Sequence, residues 1–176
     1  MRKVLYILGQ LTDQDTDWLA IVGERRHLRS GELLVQHGGN LKQLFIVLDG
    51  ELKVLSARGQ EIAKVGVGDI LGEMSFVDDS PTSASVQAIS DVLVLAVEHR
   101  LISQRMADDA AFAARFYKSI AIFLADRMRN VLARFGYGES PDDADEMSLG
   151  ELDGHVLDTL HLAGSRFDRM LRKLIG

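Results

Sequence analysis

The sequence predicts a mainly β jelly roll, a β-roll, with flanking α-helices, and three observations carry that expectation. Between about 26 and 98, brief apolar runs such as Leu33-Leu34-Val35, Leu44 to Leu48 and Val92 to Val97 are punctuated by Gly31, Gly38, Gly39, Gly50, Gly59, Gly66, Gly68 and Gly72. Many short strands joined by glycine turns have this texture. After Glu98 helix formers take over, and from 108 to 135 Phe112, Phe116, Ile120, Leu124, Met128, Val131 and Phe135 recur at helical spacing. The third observation is size: 176 residues, 47% of them apolar, fill one domain with helical appendages and fall short of two ordinary domains.

Taken in order, the chain opens with a short helix over 12 to 22. Thr12 caps it, Asp15 reaches back in a capping box, and Trp18, Leu19, Ile21 and Val22 supply its apolar residues. The strands of the roll follow. The helix over 108 to 135 spans roughly 40 Å at about 1.5 Å per residue, and Tyr117, Phe123 and Leu132 widen its apolar stripe beyond one contact surface. One side can cover the roll while the other meets a second copy, so the expectation is a homodimer formed mainly through 110 to 135. Residues 136–150, with glycine, proline and the acids Glu139, Asp142, Asp143, Asp145 and Glu146, read as an acidic linker. A second capping-box pattern, Ser148 and Glu151, leads into the tail. There Val156, Leu160, Ala163, Phe167, Met170 and Leu174 form a helical seam, and Gly164-Ser165 leaves open whether it is one helix or two. The expected division is therefore a domain over 1–135 that includes the long helix, a linker over 136–150 and an amphipathic helical tail over 151–176.

Charge and composition exclude several functions. A net charge of −6 and a pI near 5.3 provide no large positive field for nucleic acid or an anionic membrane. Without cysteine there are no disulfides or thiolate metal sites. The apolar run after the basic start Met1-Arg2-Lys3 is too short for a signal peptide, and no stretch has membrane-spanning length, so a cytoplasmic protein is expected. His155 and His161, six apart, fall on different helix faces with no carboxylate to complete a metal site. Arg166, Arg169, Arg172 and Lys173 are offset within the tail by Glu151, Asp153, Asp158 and Asp168 and read as a solvated face. With no nucleophile elbow, Ser-His-Asp order or carboxylate pair to single out, the chain reads as a non-enzyme.

The informative segment is residues 72 to 86, GEMSFVDDSPTSASV. Gly72 permits a tight turn, Glu73 places a carboxylate at a strand end, and Met74 to Val77 can form one helical turn whose outward N–H groups suit an anion. Pro81-Thr82-Ser83-Ala84 then re-enters β structure with small and hydroxyl side chains beside exposed amides. This segment resembles the phosphate-binding cassette of cyclic-nucleotide-binding domains. The strand-glycine-strand block Phe45 to Val54 and the approach Gly66-Val67-Gly68-Asp69-Ile70-Leu71-Gly72-Glu73 resemble other signatures of that family. The resemblance covers roughly 12 to 135. It implies a ligand, cAMP or cGMP, with candidate binding residues Gly72, Glu73, Met74, Ser75, Thr82, Ser83 and Ala84. Glu73 would hold the ribose 2′-hydroxyl, and Ser83 would contact phosphate or the guanine of cGMP.

One departure bears on function: the family's phosphate-binding arginine falls on Thr82. A charged hydrogen bond of that kind contributes about 1.5–3 kcal/mol, so its absence weakens binding by roughly 10-fold to 150-fold. Two readings follow. The first is a regulatory module that relays cyclic nucleotide binding through helix rearrangement to a downstream protein. The second is a nucleotide-independent dimeric scaffold or protein-interaction module that keeps the fold with a degenerate pocket. A catabolite-activator-like transcription factor is disfavoured, because the 26 residues after the linker are too few for a winged helix-turn-helix and lack its basic surface.

Overall fold

A computed structural model describes residues 8–134 and 154–175, with side chains over 8–132 and 162–174. Helix α1 (Asp13–Val22) leads into β1 (Glu24–Leu28), β2 (Leu33–Val35), β3 (Gln43–Asp49), β4 (Leu52–Leu55), β5 (Glu61–Val65) and β6 (Ile70–Leu71). Then come α2 (Glu73–Asp78), β7 (Ser85–Ala88), β8 (Val92–Glu98), α3 (His99–Asp108), α4 (Ala110–Arg134) and α5 (Gly154–Ile175). The eight strands form two antiparallel four-stranded sheets, β1-β8-β3-β6 and β2-β7-β4-β5, which is the β-roll that the glycine-punctuated runs predict.

Period-2 alternation on β3 and β8 builds two cores at once. Phe45, Val47, Val92, Val94 and Ala96 face the interior of the roll with Leu52, Val65, Leu71 and Val86. Leu44, Ile46, Leu48, Leu95 and Val97 face the other way, where they meet Leu19, Ile102, Phe112, Phe116, Ile120 and Phe123 of the helices. Burial on both faces explains why these two strands read as unbroken apolar runs. Gly50 closes the turn after β3 with φ +84°, and a Cβ there would lie 2.3 Å from the Asp91 carbonyl oxygen, so no other residue fits.

The helical layer agrees with expectation over the long helix and differs from it in the tail. The segment after β8 is not continuous: Asp109, at φ −134° and ψ 95°, separates α3 from α4, and its Oδ1 accepts a 2.9 Å hydrogen bond from the Phe112 amide. The helix that starts there, 110–134, is the long helix expected over 108–135. Three basic residues of the tail, expected on a solvated face, are instead engaged by α1. Arg166 pairs with Asp13 at 2.8 Å, while Arg169 and Lys173 each reach Asp17 at 2.8 Å, so α5 is fastened across α1. Arg25 of β1 donates to the Leu174 carbonyl oxygen. Beneath these pairs Ala163, Met170 and Leu174 join the core that the helices share with the roll. α5 runs unbroken through Gly164 and Ser165. The expected linker, the Ser148–Glu151 cap, and the side chains of His155 and His161 lie outside the described residues. Among the described residues no helix is long and apolar enough to cross a membrane.

The capping box at the start of α1 is present. Thr12 N–H donates to Asp15 Oδ2 at 2.9 Å and Asp15 N–H to the Thr12 hydroxyl at 3.2 Å. Asp15 does more than cap. It is 1% exposed and receives Arg115 Nε at 2.8 Å and Arg105 Nη2 at 2.9 Å, joining α1, α3 and α4 at one carboxylate. The Arg105 guanidinium lies over the Trp18 and Phe112 rings at 4.6 and 4.4 Å. Burial alone would raise the Asp15 pKa, but the hydrogen bond from Arg115, the two groups of Thr12 and the Arg115 charge outweigh it and hold it below the ordinary carboxylate value.

Candidate functional site

The connection from β6 into α2 creates the site. Gly72 takes φ +88°, and a Cβ at this position would lie 2.6 Å from the Gln43 carbonyl oxygen, so the chain turns here only because there is no side chain. The turn starts α2 at Glu73. Its first amides have no partner inside so short a helix, apart from the hydrogen bond that the Glu73 amide makes to its own carboxylate. Asp79 ends α2 at φ 56°, held by Lys42 at 2.9 Å, and is the one non-glycine residue with positive φ among the described residues. Phe76 packs edge-on against Phe116 of α4, with ring centroids 5.6 Å apart, so the position of α2 depends on the long helix.

A cleft of about 180 Å³ opens between α2, β7 and α4. All seven residues singled out from the sequence line it: Gly72, Glu73, Met74, Ser75, Thr82, Ser83 and Ala84. They are not equivalent. Glu73 and Ser75 are buried, Met74 is half exposed, and Ser83 faces solvent. The amides of Ser83 and Ala84 donate to no oxygen among the described residues and remain available to an occupant. The floor is apolar, formed in part by Val35, Val54, Leu71 and Val86.

Thr82 behaves differently from the sequence expectation. Its hydroxyl donates to the Gln36 carbonyl oxygen at 2.5 Å and accepts from the Gly39 amide at 3.0 Å. Two backbone hydrogen bonds, Gly38 N–H to the Thr82 carbonyl at 2.8 Å and Thr82 N–H to the Gly39 carbonyl at 3.0 Å, complete the staple. The side chain at the position of the family's arginine therefore holds the β2–β3 loop, and its one donor is already used.

Sequence reasoning missed Arg127. This α4 residue lines the cleft, pairs with Glu73 and lies over the Phe123 ring at 4.7 Å. Nothing local marks it, since an arginine on a long helix normally belongs to the solvated face. Burial raises the Glu73 pKa above its ordinary value. Arg127 and the backbone amide oppose that rise and nearby Asp69 adds to it, with burial prevailing. Removing Arg127 would strand the buried Glu73 carboxylate, at a cost of about 3–5 kcal/mol, so an occupant that expelled Arg127 would meet a heavy penalty.

The raised pKa makes a prediction. A carboxyl whose pKa is higher folded than unfolded contributes fully below the unfolded value, about 4.3, and loses that contribution as pH rises through the folded value. Glu73→Gln escapes the loss, and the freed Arg127, part-exposed, can turn to water. Thermal unfolding should therefore give a higher Tm for Glu73→Gln at pH 7, with the difference shrinking toward pH 4. A Tm below wild type at pH 7 would show that pairing outweighs burial.

The geometry offers a buried carboxylate, two open amides and a guanidinium above an apolar floor. In comparison with known proteins, residues 25–109, which include Glu73, Ser83 and Ala84 but not Arg127, match the model of the cyclic nucleotide-binding domain. Residues 25–109 belong to that family. Relatives of this domain include the cGMP-dependent protein kinase egl-4 of Caenorhabditis briggsae, 33% identical over 81 residues, which are 44% of this chain and 11% of the kinase. Among solved structures, a cyclic nucleotide-binding domain from Methylobacillus flagellatus KT superposes with a TM-score of 0.67 at 24% identity, covering 86% of this chain and 85% of that one. The catabolite activator protein of Thermus thermophilus gives 0.59 at 22% identity over 94% of this chain and 84% of that one. At these identities the structural likeness speaks for the fold. The chain spans about a tenth of the length of the curated kinases that it matches.

Proposed function

We propose that this chain is a non-catalytic cytoplasmic regulatory module whose cleft binds a cyclic nucleotide, cAMP or cGMP, and relays occupancy through α4 to a second copy and to a downstream protein. One observation carries the reading: the Glu73 carboxylate and the open amides of Ser83 and Ala84 line one cleft, with carboxylate for ribose hydroxyls and amides for phosphate. Residues 1–135 would be the binding unit, 136–150 a linker and 151–176 an appended tail. The engagement of Thr82 favours a second reading, a nucleotide-independent scaffold, because no cassette side chain offers a charge to phosphate. Thermal unfolding with cAMP and with cGMP separates the two. A ligand that binds the folded state alone, at 100 times its dissociation constant, adds about 2.7 kcal/mol, or a rise of about 5–10 °C for a chain of this size. A Tm that stays flat with both at millimolar concentration favours the scaffold.

The relay needs a partner surface, and α4 carries one. Phe112, Phe116, Ile120 and Phe123 are buried against the roll. Tyr117, Met128, Val131 and Leu132 form an exposed apolar stripe around the side, whereas Leu124 is half-buried against the core. Pairing two such stripes buries several large side chains per copy, each contributing about 1.5–3 kcal/mol against the cost of association. Met128→Glu with Val131→Glu is expected to convert a dimer to monomer in light scattering at micromolar concentration without lowering helix content. A wild-type monomer under the same conditions removes the dimer from the proposal.

A further inference from the structure

We propose that Arg127 reads the anionic group of the ligand, bringing to the cleft from α4 the positive charge that the cassette lacks. The inference rests on the reading of the cleft as a cyclic nucleotide site and names the side chain that meets the phosphate. Among the described residues that line the cleft, the charged ones are Glu73, Asp78 and Arg127. Two carboxylates against one guanidinium repel an anion unless it reaches the guanidinium. The Thr82 hydroxyl already donates to the Gln36 carbonyl oxygen, and the remaining hydroxyls and amides carry no net charge.

Arg127 has the capacity for this role. A guanidinium carries five N–H donors in a planar fork, and among the described residues its hydrogen bonding is confined to Nη1 and Glu73. The Phe123 ring under the plane fixes its orientation. The side chain is 29% exposed, so the unused edge is open to an incoming group. An occupant that left the Glu73 pair intact and took the spare donors would avoid stranding the buried carboxylate, and a planar fork suits a phosphate. Its ribose would then meet Glu73 while its phosphate met the residue already bound to Glu73, tying the ligand to α4 directly.

The test is calorimetric titration of the full chain with cAMP and cGMP, comparing wild type with Arg127→Lys, Arg127→Gln, Thr82→Arg and the double variant Thr82→Arg/Arg127→Gln. Loss of one charged contact predicts binding about 10-fold to 150-fold weaker in Arg127→Gln. Arg127→Lys keeps a counter-charge for Glu73, and with it the fold, but loses the fork, so it should show a smaller loss. Thr82→Arg, although it removes the loop staple, should raise affinity by about 10-fold or more in the Arg127→Gln background and by less in wild type, where Arg127 already meets the phosphate; equal gains in the two backgrounds mean that Arg127 does not meet it. Wild-type binding with Arg127→Lys and Arg127→Gln both within threefold of it overturns this inference and leaves the cyclic nucleotide reading standing. Absence of saturable wild-type binding at millimolar cAMP and cGMP overturns both.

Discussion

Asp15→Ala is expected to lower the stability of the fold by about 3 kcal/mol, the lower end of the range for breaking a buried ion pair. The lower end applies because Arg105 and Arg115 keep some access to water, at 19% and 30% side-chain exposure, whereas Asp15 itself is sealed. For a chain of 150–250 residues this corresponds to a fall in Tm of about 6–12 °C. Asp15→Asn keeps much of the N-cap, whose loss alone costs about 0.5–2 kcal/mol, and so isolates the charge. The pH dependence has a defined sign. Because the folded state holds the Asp15 pKa below its ordinary value, its contribution is complete above about pH 3.9 and lost as pH falls through the folded value. The Tm gap between wild type and Asp15→Asn should therefore be constant near neutrality and close in acid. A gap that does not narrow as pH is lowered would mean that the Asp15 charge does not help to join the helices at this point.

Phe116→Ala is expected to cost about 3–5 kcal/mol, the range for truncating a buried aromatic residue. Phe116 is 2% exposed and lies between Phe76 of α2 and Phe112 of α4, with ring centroids 5.6 and 5.5 Å away. Its loss opens a cavity under the helix that carries Glu73, so the damage reaches the cleft as well as the core. Phe116→Leu keeps most of the apolar burial and loses the edge-to-face contact with Phe76, about 0.5–1.5 kcal/mol for such a pair. Chemical denaturation of the three proteins checks the order. Equal stability of Phe116→Ala and wild type would mean that α4 does not rest on the roll through this ring.

The sequence made the roll legible because its signals are local. Glycines at turns, apolar runs of strand length and a helical periodicity after Glu98 each depend on neighbours a few residues apart. The cassette was legible for the same reason: Gly72 through Ala84 is one continuous stretch, and the structure folds it around one cleft. What stayed hidden depends on residues far apart in the chain. Arg127 is 54 positions from Glu73 and carries no motif. Asp15 was visible as a cap but not as the shared partner of arginines 90 and 100 positions away. The tail's basic residues were offset against their own acids because charge counting cannot show that α5 crosses α1. Thr82 was read for the arginine that it replaces, and its bond to Gln36 comes from a loop that the motif does not include.

Equilibrium dialysis of the purified full chain with labelled cAMP and cGMP decides whether the cleft over Glu73 is a cyclic nucleotide site despite Thr82. The predicted result is saturable binding of at least one of them, one molecule per chain, lost or strongly weakened in Glu73→Ala and not displaced by inorganic phosphate at equal concentration. Binding of neither nucleotide at millimolar concentration, or binding that Glu73→Ala leaves unchanged, would contradict it.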